Sequence, residues 1–216
     1  MTTDAMSLAE AYLEKAGLID SPGAVLYSAD ATLRPGPVYL LGLNPGGAED
    51  STLRDSIMRS RAQHNAYLDE EWAPGGYVQP KGQATLQRRI QHLCSMMGIE
   101  TRDVPSSNLV FTRSTRISTH LSFDAALKFC LPVHHIFIDA IRPRFLMTFG
   151  NIGNFKNAVS ITHVEERSAQ HGAWMAYRGS GTIAGREIAF GNVPHMSLWA
   201  SDKRADVVRW AIEGLV

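Results

Sequence analysis

Val38-Tyr39-Leu40-Leu41-Gly42-Leu43-Asn44-Pro45-Gly46-Gly47 is an unbroken apolar run that stops on a turn. A continuous run of this kind, bounded by turn residues, predicts a strand buried on both faces. Two further runs read the same way: Ser106 to Thr112, and Arg144 to Phe149 closed by Gly150. Helical patterns lie between them. Asp50 to Leu68 is polar and helical. Ala84 to Met97 places Leu86, Ile90, Leu93 and Met97 on one face, with Gly98 after it. Asp124 to Ile141 is helical, although Pro132 is expected to kink or split it. Asp202 to Leu215 is the last helix. Buried strands that alternate with helices predict an α/β fold, a three-layer αβα sandwich around a mostly parallel sheet.

Working outward, Ser7 to Leu18 predicts a first helix and Ala24 to Tyr27 a short strand. Residues 1–35 are expected to be an N-terminal appendage packed on a single domain spanning residues 1–216. Asn151 to Val159 predicts a short helix. Thr162 to Val164, Ala173 to Tyr177 and Glu187 to Phe190 predict later strands. At 216 residues and 44% hydrophobic, the chain has ample material for one core. No apolar run is long enough to span a bilayer. Met1 to Leu8 contains no basic residue, which argues against a secretory signal. Two cysteines cannot form a disulfide scaffold, and a reducing cytoplasm is the natural expectation. Lys+Arg equals Asp+Glu at 21 each, so only local patches could favour nucleic acid.

In sheets of this class the site lies at the carboxyl ends of the strands. Three segments are expected to meet there. Gly42 to Gly47 leaves a buried strand, and its glycines let backbone N–H groups approach a ligand. Asn44 offers an amide that donates and accepts. An ordinary strand-to-helix turn would use the same residues. The Gly-Lys-Ser/Thr ending of a phosphate loop is absent. Asn108 lies among Leu109, Val110 and Phe111, and a buried amide must find partners. Its fork of donor and acceptor suits a nucleobase edge, or equally the nearby loop backbone. His195, in Asn192-Val193-Pro194-His195-Met196-Ser197-Leu198-Trp199, could donate to developing negative charge, or be structural. Leu198 and Trp199 are core residues by default and a wedge between bases if exposed. Arg113, Arg116, Lys203 and Arg204 cluster near the strand ends. His134 and His135 point to different helix faces, Cys94 and Cys130 are expected to pack in helices, and no Cys/His spacing resembles a zinc site.

Taken in order, these segments resemble the uracil-DNA glycosylase superfamily. Gly42-Leu43-Asn44-Pro45-Gly46 is similar to its first motif, in the form of the mismatch-specific and single-strand-selective branches. Ser107-Asn108-Leu109-Val110 is similar to the strand whose Asn reads the uracil edge. His195-Met196-Ser197 resembles the His-Pro-Ser motif that opens the minor-groove loop, with Met196 in place of Pro. Tyr77-Val78, followed by Gly82, has the spacing of the segment whose aromatic ring stacks on the flipped base. The resemblance covers roughly residues 37 to 205. The cysteines of the iron–sulfur branch are missing.

The resemblance implies a glycosylase that removes uracil or another deaminated base from DNA, acting as a monomer without cofactor or metal. Asn44 and His195 are then catalytic. Gly42, Leu43, Pro45, Gly46, Tyr77 and Asn108 bind the base, and Arg113, Ser197, Leu198 and Trp199 contact DNA. Beside an unrelated doubly wound domain with three coincidental motifs, two functional alternatives stay open. One is a relative that binds nucleic acid or a nucleobase without cleaving it. The other is a hydrolase or transferase of small nucleosides, which burial of Leu198 and Trp199 would favour.

Overall fold

The computed structural model describes residues 4–47, 51–114 and 123–215. Its centre is a six-stranded mixed sheet in the order β2-β1-β3-β6-β5-β4. β1 (Val38–Gly42), β2 (Ser106–Asn108) and β3 (Phe145–Phe149) are short and wholly buried. β4 (Ser160–Ser168), β5 (Met175–Ile183) and β6 (Arg186–Val193) are longer. The β2-β1-β3-β6 pairings are parallel, and β6-β5-β4 continues as an antiparallel meander. β5 and β6 join through Ala184 and Gly185, both at positive φ, as a two-residue hairpin turn requires.

Side chains alternate across β1. Val38 and Leu40 face a core with Phe145, Met147 and Trp199, built by α4 (Thr85–Met96) and α7 (Ala205–Ile212). Tyr39 and Leu41 face a second core, built by α1 (Ala5–Lys15), α2 (Leu53–Arg61) and α5 (Phe123–Ile141). The sheet is thus covered on both faces. The shorter helices are α3 (Ala66–Asp69) and α6 (Ile152–Phe155). Among the described residues, no helix is long and apolar enough to cross a membrane.

Several elements differ from expectation. Pro132 neither ends nor splits α5, which runs unbroken. An interior proline costs about 3 kcal/mol. Leu127, Cys130, Val133, Phe137, Ile138 and Ile141 are all buried on this helix, and burying a Val, Leu, Ile or Phe side chain gains roughly 1.5–3 kcal/mol. Packing therefore wins. The helix expected over Asp50 to Leu68 is two helices, and its first residue lies outside the described residues. Gln63 takes a left-handed φ of 61°, and the Asn65 side chain caps α3 by accepting from the Tyr67 N–H. Asp202 to Leu215 is likewise interrupted, with only Ala205–Ile212 α-helical.

Ala24 to Tyr27 is not a strand. It touches the β2 edge through a single isolated bridge, Leu26 to Ser107, while the Val25 N–H turns aside to the Ser56 hydroxyl. Residues 4–35 are nonetheless sewn to the body. Ala24 N–H donates to the Phe111 carbonyl and Tyr27 N–H to that of Ser106.

Candidate functional site

A cavity of about 950 Å³ opens where β1, β2, β3 and β6 end. Asn44, Asn108, Phe149 and His195 line it, each at or just past a strand's carboxyl end. The β1 and β2 ends are held in register. Gly42 pairs with Asn108, and the N–H groups of Leu109 and Val110 donate to the carbonyls of Gly42 and Leu43.

Asn44 is oriented by its neighbours. Its Nδ2 donates to the Pro45 carbonyl at 3.0 Å and to the Ser114 carbonyl at 3.1 Å. Carbonyls only accept, so the amide nitrogen is fixed on that side. Oδ1, with no hydrogen bond to the described residues, is left as an acceptor. Arg113 also serves this loop, its guanidinium donating to the Gly46 carbonyl. The loop after β1 is therefore stitched to the loop after β2.

Asn108 is buried, lines the cavity and has no hydrogen-bond partner for its carboxamide among the described residues. It lies tight against Gly42, where a Cβ would come within 2.2 Å of Oδ1. The Phe149 ring flanks the same point, 3.0 Å from that Cβ. Only glycine fits there without displacing Asn108.

His195 is set by the turn that follows it. The Ser197 hydroxyl lies 2.7 Å from Nδ1 and the Ser197 N–H donates to Nδ1 at 3.3 Å. A backbone N–H can only donate, so Nδ1 accepts and Nε2 carries the proton. Desolvation holds the imidazole below its usual pKa and so favours the neutral ring. The Phe149 ring packs edge-on at 5.4 Å. Arg89 of α4 clamps the turn from outside through the Met196 carbonyl at 2.6 Å and Asp202 at 3.1 Å.

The remaining expected residues divide. Leu43, Gly46, Ser197 and Leu198 line the cavity, and Leu198 is 71% exposed. Trp199 must be corrected. It is fully buried, and its Nε1 donates to the Ala169 carbonyl at 2.8 Å, so it belongs to the core and cannot reach a duplex. Tyr77 must be corrected as well. It is 77% exposed and outside the cavity lining. Ser197 spends its hydroxyl on His195 rather than offering it outward. Arg204 is tied to the carbonyls of Gln170 and Ala200, which leaves Lys203 exposed beside it. Arg116 lies outside the described residues.

Sequence reasoning missed Phe149 and a second polar group at the cavity wall, Arg59, His64, Glu70 and Trp72. Phe149 had a signal, because it ends a buried strand just before Gly150. The other group is scattered over a helix and a loop and had none. Among the described residues, no group of His, Cys, Asp and Glu is arranged to hold a metal ion. No protein-family model matches the chain, and no curated protein matches it.

Proposed function

We propose that the chain is a DNA glycosylase of the uracil-DNA glycosylase type, hydrolysing the N-glycosidic bond to uracil or another deaminated base. One observation carries this reading. An Asn108 carboxamide and an Asn44 Oδ1 with no hydrogen-bond partner among the described residues, and a neutral His195 with its proton on Nε2, line one cavity at the strand ends. A target base must leave the stack to reach such a cavity, at a cost of a few kcal/mol.

Asn108 then pairs with the base edge through its donor and acceptor. Phe149, which flanks both Asn108 and His195, supplies the stacking ring in place of Tyr77. As the glycosidic bond breaks, its electron pair leaves with the base and the sugar becomes cationic. His195 Nε2–H donates to the resulting anion. Asn44 Oδ1 accepts from a water and aims it at the anomeric carbon. An amide cannot take the water's proton, so that proton passes to solvent or to the departing base. Leu198 fills the gap left in the duplex.

Burial of Trp199 and the internal bonds of Arg113 and Arg204 favour a second reading, a hydrolase or transferase of free nucleosides. It needs the same base site and fewer DNA contacts.

The test is base release from oligonucleotides carrying uracil, hypoxanthine or xanthine, single-stranded and opposite each partner base, with alkaline cleavage of abasic sites. Cleavage lost with Asn44→Ala and reduced with His195→Ala is expected, with binding to abasic DNA retained. Wild-type activity in Asn44→Ala would overturn the assignment. Absence of DNA cleavage alongside nucleoside turnover would favour the second reading.

A further inference from the structure

The cavity is far larger than a pyrimidine ring requires, at about 950 Å³. That is near the upper end of pockets that hold drug-sized ligands. Its wall beyond Asn108 and His195 is built around Glu70. One Glu70 oxygen, Oε2, accepts from Trp72 Nε1 at 2.7 Å. The other, Oε1, lies 3.1 Å from His64 Nε2, which must donate to it. Arg59 Nε is 3.8 Å from the same oxygen. A carboxylate has about four lone-pair sites, so each oxygen keeps room for one more donor. Two buried hydroxyls, of Ser60 and Tyr67, line the same cavity without a hydrogen-bond partner among the described residues. The Tyr67 and Trp72 rings meet edge-on at 5.9 Å and give flat walls.

We propose that Glu70 is a second recognition point in this cavity, accepting the adjacent ring and amino N–H donors of a guanine-type base. The inference rests on the reading that the cavity takes nucleobases, and it adds a place for a guanine-type base beyond the Asn108 point that takes the deaminated one. The chemistry selects among ligands. Arg59 already balances the carboxylate, so neutral N–H donors suit it better than a second cation. Guanine presents N1–H and the 2-amino group side by side, matching both oxygens. Hypoxanthine keeps only N1–H. Uracil flanks its single N–H with carbonyl oxygens that oppose the second carboxylate oxygen. Adenine has no ring N–H on that edge.

The test is calorimetric titration of the intact chain with guanosine, inosine, adenosine and uridine. Guanosine is expected to bind at least about tenfold more tightly than uridine, with inosine between them, as hydrogen bonds to a charged acceptor imply. Glu70→Gln, which leaves one acceptor and one donor, should erase that preference by weakening guanosine, while uridine, whose carbonyl no longer faces a second carboxylate oxygen, is not weakened. Because Glu70 also braces His64, Tyr67→Phe provides a second variant. Its hydroxyl has no hydrogen-bond partner among the described residues, so folding should be intact while guanosine affinity falls. Equal binding of guanosine and uridine, or a guanosine preference unaltered by both variants, overturns the proposal. Uracil release from DNA without a guanosine preference would sink this inference alone. A Glu70-dependent guanosine preference without base release would sink the glycosylase reading alone.

Discussion

His134 makes the stability of the chain sensitive to acid within a defined window. It lies wholly buried on α5, with Nε2 3.0 Å from the Leu109 carbonyl and Nδ1 2.9 Å from the Tyr39 hydroxyl. The carbonyl can only accept, so Nε2 carries the proton and the tyrosine donates to Nδ1. Burial lowers the pKa of this imidazole from 6.5 to about 4. A group with a depressed folded pKa stays neutral in the fold while the unfolded chain takes up a proton. Its full contribution is present above pH 6.5 and is lost as pH falls toward 4. At 1.36 kcal/mol per pH unit, the loss between pH 7 and 4.5 is about 2.5 kcal/mol. That is a large share of a typical 5–15 kcal/mol stability. The assay is urea unfolding at both pH values for wild type and His134→Gln, whose amide can keep both hydrogen bonds without titrating. Carboxylates such as Asp69, held at about 2 beside Arg102, also weaken the fold in acid. They do so equally in both proteins and cancel in the difference. The wild type should lose about 2.5 kcal/mol more than the variant. Equal losses would refute the burial argument. Because Leu109 follows Asn108 directly, the same experiment probes what steadies the cavity wall.

Other outcomes follow from the geometry. Gly42→Ala should move Asn108 by more than 1 Å, since the new Cβ would sit 2.2 Å from its Oδ1. Activity on the best base-release substrate should fall about a hundredfold, and Asn108→Ala should relieve the cost in stability measured by urea unfolding. Trp199→Ala should cost about 3–5 kcal/mol in unfolding, whereas Leu198→Ala should stay within about 0.5 kcal/mol. Nitrogen NMR of His195 at pH 7 should show a neutral ring protonated at Nε2. A doubly protonated ring at that pH would contradict the desolvation seen in the structure.

The parallel half of the fold was readable because its strands are buried on both faces. Five consecutive buried residues in β1 leave an apolar run that solvent-facing strands never show. β4 is the opposite case. It is exposed along nearly its whole length, so only the fragment Thr162 to Val164 stood out. Asn44, Asn108 and His195 stand out in the sequence because each is polar at the end of an apolar run, and all three line the same cavity. The placing of Tyr77 and Trp199 failed for one shared reason. An aromatic residue in an irregular segment has no periodicity to say whether its ring turns inward. Here Trp199 turns in to reach the Ala169 carbonyl, and Tyr77 turns out beside Gly75 and Gly76.

The Ala184–Gly185 turn lies at the end of the sheet away from the cavity. Eight residues of β6 separate it from the strand end before His195, about 26 Å of extended chain. A fluorophore or peptide tag inserted there would lengthen a turn whose own residues are absent from the cavity lining. The chain thus carries an attachment point from which the cavity can be watched, or tethered to a surface, with its mouth left open to solution.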